Sequence, residues 1–202
     1  MKKLVVLLLA SLVATSAFAV IDEDPDMIGI YFDMNADSNC LTTPTNTPFM
    51  AYLVATNPTP ALINAYEFGY RLDVPVGMEG MLFRMADTSA GTGAVDVGDS
   101  SNLLEGDYVI GLAAAIPTTA ATVLHSWNYM VLAVFPVEMY IYQSVKPSVP
   151  GTFPVLQNAD GSILYTAGQS TGGWEFPVAT VNTDCVVGVE DASFGSVKSL
   201  FR

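Results

Sequence analysis

Cations are scarce in this sequence, and so are histidine, cysteine and tryptophan. Seven lysines and arginines stand against 20 acids, for a formal net charge of −13. A surface of that sign repels phosphate backbones, so neither nucleic acid nor an anionic membrane surface is an expected partner. A single histidine, His125, and two cysteines cannot supply the four Cys and His ligands of a conventional zinc site. The cysteines lack CxxC spacing, and no G-x-S-x-G elbow is present. No fixed-period repeat occurs, which argues against a propeller or solenoid. Helical periodicity is nearly missing until the last residues. With no nucleophile, base or cofactor motif, the sequence points away from an enzyme, and no cofactor is expected.

The ends carry the clearest signals. Lys2 and Lys3 precede an apolar run from Leu4 to Val13, and Ala17-Phe18-Ala19 supplies small residues around a cleavage point. This is the layout of a cleavable secretory signal, which places residues 1–19 in a leader and starts the mature chain at Val20. The run is shorter than the roughly 20 residues a spanning helix needs. Ala121 to Val134 is also apolar, but His125, Ser126 and Asn128 interrupt it, and a buried strand explains it better. No transmembrane segment is therefore expected after cleavage. Loss of Lys2 and Lys3 makes the mature chain more acidic still. In a secreted protein, extracellular, surface-bound or periplasmic, an even cysteine count favours a disulfide. A Cys40–Cys185 bridge closes a loop of about 145 residues, and the chain-entropy model assigns it on the order of 5 kcal/mol.

Between the ends, short apolar or alternating segments are separated by Gly, Pro, Asn and Asp. Strands are expected at Met27 to Asp33, Phe49 to Asn57, Ala65 to Leu72, Met78 to Met85, Asp107 to Ala114 and Ala121 to Val134. Further ones are expected at Val137 to Gln143, Ser162 to Thr166 and Trp174 to Val181. The best alternation puts Tyr66, Phe68, Tyr70 and Leu72 on one face. Val123, His125, Trp127, Tyr129 and Val131 are expected to share another. Ala86 to Asp107 reads as an exposed loop or irregular edge. About nine strands with this punctuation fit an all-β fold, a single two-sheet antiparallel β-sandwich of jelly-roll type over residues 20–188. The one helical stripe is Phe194, Val197, Leu200 and Phe201, in a tail over 189–202. Ser193 can cap it, and Lys198 and Arg202 at its end suit the helix dipole. That stripe is expected to dock on the sandwich or on a partner.

Several residues invite a site. Asp33, Asn35, Asp37 and Asn39 recur at alternate positions, the ligand rhythm of a calcium loop. Ser38 stands where the turn glycine belongs and Pro44 where a bidentate Glu belongs, so a plain Asn/Asp turn is favoured, with structural calcium as the alternative. Ser126 beside His125 resembles half of a hydrolase pair, but adjacent strand residues point to opposite faces. Any two acids could meet as a glycosidase pair, and nothing in the sequence selects one. Trp174, after Gly172-Gly173, is the aromatic best placed for exposure as a carbohydrate platform.

The stretches IGIYFDMNADSNC, AYLVATNP and INAYEFGYRLDVP resemble a set of uncharacterised secreted bacterial proteins. The close, FPVATVNTDCVVGVEDASFGSVKSLFR, is similar to their ending, where a cysteine precedes an acidic linker and a W-G-x-x-K-x-L-Y-R tail. Phe194 and Phe201 stand where that tail has Trp and Tyr. AYEFGYRLDVP also resembles an aromatic-rich core strand of cohesin-type sandwiches. That likeness implies a cohesin-like fold and a non-catalytic structural, adhesive or protein-interaction role, with an extracellular protein as partner; no dockerin-contact motif maps residue by residue. A carbohydrate-binding module acting on an extracellular polysaccharide is the alternative function.

Overall fold

A computed structural model describes residues 22, 24–151 and 153–183. The expected leader (1–19) and the expected helical tail with Phe194, Val197, Leu200 and Phe201 lie outside the described residues. In chain order the elements are β1 (Met27–Tyr31), β2 (Cys40–Leu41), β3 (Pro48–Thr56), β4 (Leu62–Asp73), a 3-10 turn (Glu79–Met81), β5 (Leu82–Ser89) and β6 (Val95–Asp96). There follow β7 (Glu105–Pro117), β8 (Ala121–Val131), β9 (Val137–Tyr142), β10 (Val155–Asn158), β11 (Leu164–Thr166), β12 (Gly168–Gln169) and β13 (Ala179–Val181).

The strands form two sheets packed face to face. One has five strands in the order β12-β1-β3-β8-β5. The other is built around β4, with β7 and then β6 along one side. Along its other side β10, itself paired with β11, lies against the first half of β4, and β9, β13 and β2 continue in that order from the second half. All pairs are antiparallel except β1 with β12 and β13 with β2. The architecture is the all-β two-sheet sandwich expected from the strand pattern.

The alternating faces explain the core. Tyr66, Phe68, Tyr70 and Leu72 of β4 point inward with Tyr108 and Ile110 of β7, against Ala51 and Leu53 of β3 and Trp127, Tyr129 and Val131 of β8. Aromatic rings fill its centre: Phe68 stacks on Tyr108 at 5.0 Å and meets Trp127 edge-on at 6.1 Å. Such geometry adds to the large area each ring removes from water.

Three expectations change. In β8, Leu53 pairs with His125 and Val54 with Val123, which leaves Leu124 as an extra residue in a bulge. The bulge turns Val123 to the outer side, where it packs with Tyr31 and Val54 rather than with His125. A period of two cannot survive one inserted residue. The segment at Met78 begins as a 3-10 turn, and its strand starts only at Leu82 and runs on to Ser89. The segment from Trp174 is a turn, and pairing begins at Ala179, beyond Pro177, which has no N–H to donate. The strands missing from the sequence reading are β2, β6, β10 and β12, all of four residues or fewer.

The outer face of the larger sheet is partly covered by its own chain. After β9 the backbone crosses it, and Glu67, only 4% exposed, accepts hydrogen bonds from Ser148 N at 2.7 Å and Ser148 Oγ at 2.6 Å. Asp107 accepts one from Ser144 Oγ at 2.6 Å. Where β4 passes from β10 to β9, a Cβ on Gly69 would lie 2.3 Å from the Gln143 carbonyl oxygen and 2.6 Å from the Tyr142 ring. Backbone on one side and a ring on the other leave no room for a methyl group. Gly69→Ala should therefore destabilise the fold by about 1–3 kcal/mol, read as a lower urea midpoint with an unchanged slope. A midpoint equal to that of the unsubstituted protein would show that the crossing chain yields freely.

Candidate functional site

The five-stranded sheet has an outer face unlike the rest of the molecule, and its origin lies beneath it. β3, β8 and β5 carry three charged or titrating side chains besides tyrosines: Arg84, Asp87 and His125. The register sends all three to the inner side, beside Tyr129, Trp127 and the end of β8. There they form one network. His125 Nε2 lies 2.5 Å from Asp87 Oδ1 and donates to it, and Tyr108 OH donates to Asp87 Oδ2. Arg84 Nη1 donates to Tyr108 OH at 2.9 Å and to Tyr70 OH at 3.2 Å, and Nη2 donates to the Ser100 carbonyl at 2.5 Å. Trp127 Nε1 donates to Tyr108 OH at 2.9 Å.

The electrostatics follow from these contacts. Burial works to raise the Asp87 carboxyl, but the hydrogen bonds from His125 and Tyr108 and the charges of His125 and Arg84 outweigh it, so it sits below its ordinary value. Burial, and then the hydrogen bond to Asp87, push the Tyr108 phenol well above its ordinary value. Burial also raises Tyr66, Tyr70 and Tyr129. The phenols therefore stay neutral, and Tyr108 is the one that donates to the carboxylate.

The cluster contains a serine, a histidine and an aspartate in sequence of contact: Ser89 Oγ lies 3.4 Å from His125 Nδ1. Its surroundings make it structural. His125 is 1% exposed, with Tyr108 and Trp127 ring centroids at 4.5 Å and 4.9 Å. Tyr66 OH, which donates to the Leu124 carbonyl at 2.7 Å, also faces Nδ1 at 3.3 Å. No substrate atom reaches the ring without displacing the core. Ser126, on the far side of the strand, donates to the Thr88 carbonyl.

Above the network the outer face forms a three-by-three grid. Pro48, Met130 and Phe83 make one row across β3, β8 and β5. Met50, Asn128 and Ala86 make the next, and Tyr52, Ser126 and Thr88 the third. All nine side chains are exposed or half-buried, and none is charged. The face is bounded toward β1 by Tyr31, which lies across Gly29 and is buried with Val54 and Ala36.

The other residues singled out in the sequence, the Asp33 loop, the cysteines and Trp174, lie away from this face. Asp33 Oδ1 accepts from Asn35 N at 2.8 Å and Asp37 N at 3.1 Å, with Ala36 at a φ of 64°. That is a turn closed by its own aspartate. Among the described residues no three His, Cys, Asp or Glu side chains are gathered to hold a metal ion. The Asn39 carbonyl accepts from Thr180 N at 2.9 Å. Cys40 lies in β2 opposite Thr180, and Cys185 lies outside the described residues. Trp174 is half-buried, edge-on to Phe153 at 5.7 Å and 68°. The grid and the Asp87 network were not read from the sequence. The absence of charge from the outward positions of β3 and β8 was the available signal, and the bulges in both β8 pairings blurred it.

Asp87 is depressed in the folded state, so its contribution is complete above the free carboxyl value of about 4 and fades as pH falls through the folded value. Asp87→Asn should cost about 2 kcal/mol near neutral pH, and the gap to the unsubstituted protein should narrow below about pH 4. Urea midpoints of both proteins across that range check this; a gap that stays constant with pH would contradict it.

No family model matches the sequence, and no curated protein matches it. Solved structures do resemble it. The sixth cohesin of scaffoldin B from Acetivibrio cellulolyticus, solved in complex with a Cel5 dockerin, matches with a TM-score of 0.52 at 10% identity, covering 78% of this chain and 98% of that one. A type II cohesin domain from the cellulosome of Acetivibrio cellulolyticus matches with a TM-score of 0.52 at 16% identity, covering 80% and 97%. The likeness is one of fold: this chain adopts the cohesin-type two-sheet jelly-roll sandwich.

Proposed function

We propose that this protein is a secreted, non-catalytic interaction module that receives a partner protein on the open face of β3, β8 and β5. The observation that carries the reading is the grid of nine uncharged side chains on a chain with a formal charge of −13. Phe83, Met50, Met130 and Tyr52 supply apolar area there, with Asn128, Ser126 and Thr88 as hydrogen-bonding groups between them. Interfaces are depleted of charge at their centres and enriched in aromatics and methionine, and a few such anchors carry most of the binding energy. The cohesin of scaffoldin B, which shares the fold, is seen holding a dockerin, which supports a protein as the class of partner.

Secretion belongs to the same proposal and rests on the leader-like residues 1–19. So does a Cys40–Cys185 staple: β13 pairs with β2 at Cys40 and Leu41, and Cys185 follows β13 closely in sequence.

The test is capture by the immobilised mature protein from extracellular and envelope extract of its own organism. One protein recovered in stoichiometric amount, held at high salt, is the expected outcome, because an uncharged interface has little to screen. The double variant Phe83→Asp, Met130→Asp should weaken that complex by about 30-fold or more, the effect of losing a hot spot. Both side chains point away from the core, so thermal unfolding should change little. Retention of glycan alone, or equal capture by the double variant, would contradict the proposal.

A further inference from the structure

A second apolar surface lies at one end of the sandwich, built from two connections. The link between β4 and β5 exposes Val76, Met78 and Met81, with Val76 98% exposed. The link between β8 and β9 exposes Leu132 and Val134, the latter 66%. Leu132 N donates to the Met81 carbonyl at 2.8 Å, which ties the two links to one another. Five apolar side chains gathered on two tied loops are more than scattered surface residues require.

The last described residues leave the fold beside this patch. Val181 pairs with Val137, the first residue of β9 and the residue that ends the β8–β9 link. It also pairs with Leu41. Asn182 is fixed there by donating its N–H to the Leu41 carbonyl and by accepting Thr43 N on Oδ1, both at 2.8 Å. Beyond Thr183 the sequence runs another 19 residues to Arg202. The stripe Phe194, Val197, Leu200 and Phe201 begins 11 residues past Thr183, within reach of any part of the patch for a chain that spans up to about 3.3–3.6 Å per residue.

Charge agrees. Glu79 lies between Met78 and Met81, and Glu138 lies just past the β8–β9 link; among the described residues neither forms an ion pair. The stripe is accompanied by Lys198 and Arg202, two of the chain's seven cations. We infer that the C-terminal segment of this chain docks its Phe194–Phe201 stripe on its own Val76–Met81 and Leu132–Val134 patch, with Lys198 and Arg202 toward Glu79 and Glu138. The occupant is the chain's own end because it starts next to the patch, which gives it a high effective concentration there.

Hydrogen–deuterium exchange on the full mature chain tests this, read on peptides covering Phe194 to Arg202. Docking predicts exchange slowed about tenfold or more relative to an unstructured chain, unchanged on dilution. The exposed-site double variant Val76→Asp, Val134→Asp should abolish that slowing while leaving the thermal midpoint in place. Phe194→Ser with Phe201→Ser should in turn speed exchange in Val76 to Met81. Unstructured rates in the unsubstituted protein overturn the inference. Slowing that fades on dilution also overturns it and assigns the tail to a second copy, and slowing indifferent to both patch substitutions assigns it to another surface. None of these variants touches the Phe83–Met130 face, so this result and that of the partner capture stand apart.

Discussion

One carboxylate holds the edge of the five-stranded sheet to the rest of the sandwich. Asp87, on the last strand of that sheet, receives His125 from β8 and Tyr108 from β7 of the opposite sheet, while Arg84 links Tyr108 and Tyr70 to the Ser100 backbone. An edge strand with few core contacts would otherwise fray. The arrangement is costly to leave incomplete, because removing Asp87 strands the buried donors of His125 and Tyr108. It also commits a serine, a histidine and an aspartate in contact to holding the two sheets together. The ring is enclosed by Tyr108, Trp127 and Tyr66, and its hydrogen-bonding capacity is committed to the fold.

Drawing Arg84, Asp87 and His125 inward has a consequence on the other side of the same strands. Their outward neighbours, Phe83, Ala86, Thr88, Ser126 and Asn128, are left without a charge among them. The larger sheet differs in both respects. Its outer side carries Glu67, Arg71, Asp73, Glu105 and Asp107, and the chain after β9 lies across it with Ser144 and Ser148 bonded to two of those carboxylates. A partner approaching the larger sheet meets charge and a covering loop. At β3, β8 and β5 it meets an uncharged surface. The inward network and the uncharged outer face are thus two sides of one strand register.

The fold was legible where strands are long and strictly alternating. Tyr66 to Leu72 of β4 shows its buried face in the sequence because four large residues repeat every second position. The reading failed where pairing departs from that period. Leu124 adds a residue that turns Val123 outward, and a second irregularity lies between Arg84 and Ala86. The shortest strands, such as Cys40–Leu41 and Gly168–Gln169, are set by what lies across from them, and no local pattern announces them. The network was illegible for a related reason. Arg84, Asp87, Tyr108 and His125 come from three strands across both sheets, and Asp87 falls in a stretch that reads as an exposed loop or irregular edge, with nothing in it that names its partners. The turn at Asp33 was legible, since its aspartate bonds to backbone two and four residues on, a purely local matter.

The proposed seat of the partner is the uncharged face of β3, β8 and β5. Hydroxyl-radical footprinting of the captured complex addresses it directly, because methionine, phenylalanine and tyrosine side chains report their own exposure. The expected result is protection of Met50, Tyr52, Phe83 and Met130 on binding, with Met34, 61% exposed near the acidic turn, oxidised as before. Unprotected residues on that face, with protection moved to Phe153 and Trp174, would contradict the account and place recognition on the aromatic corner instead.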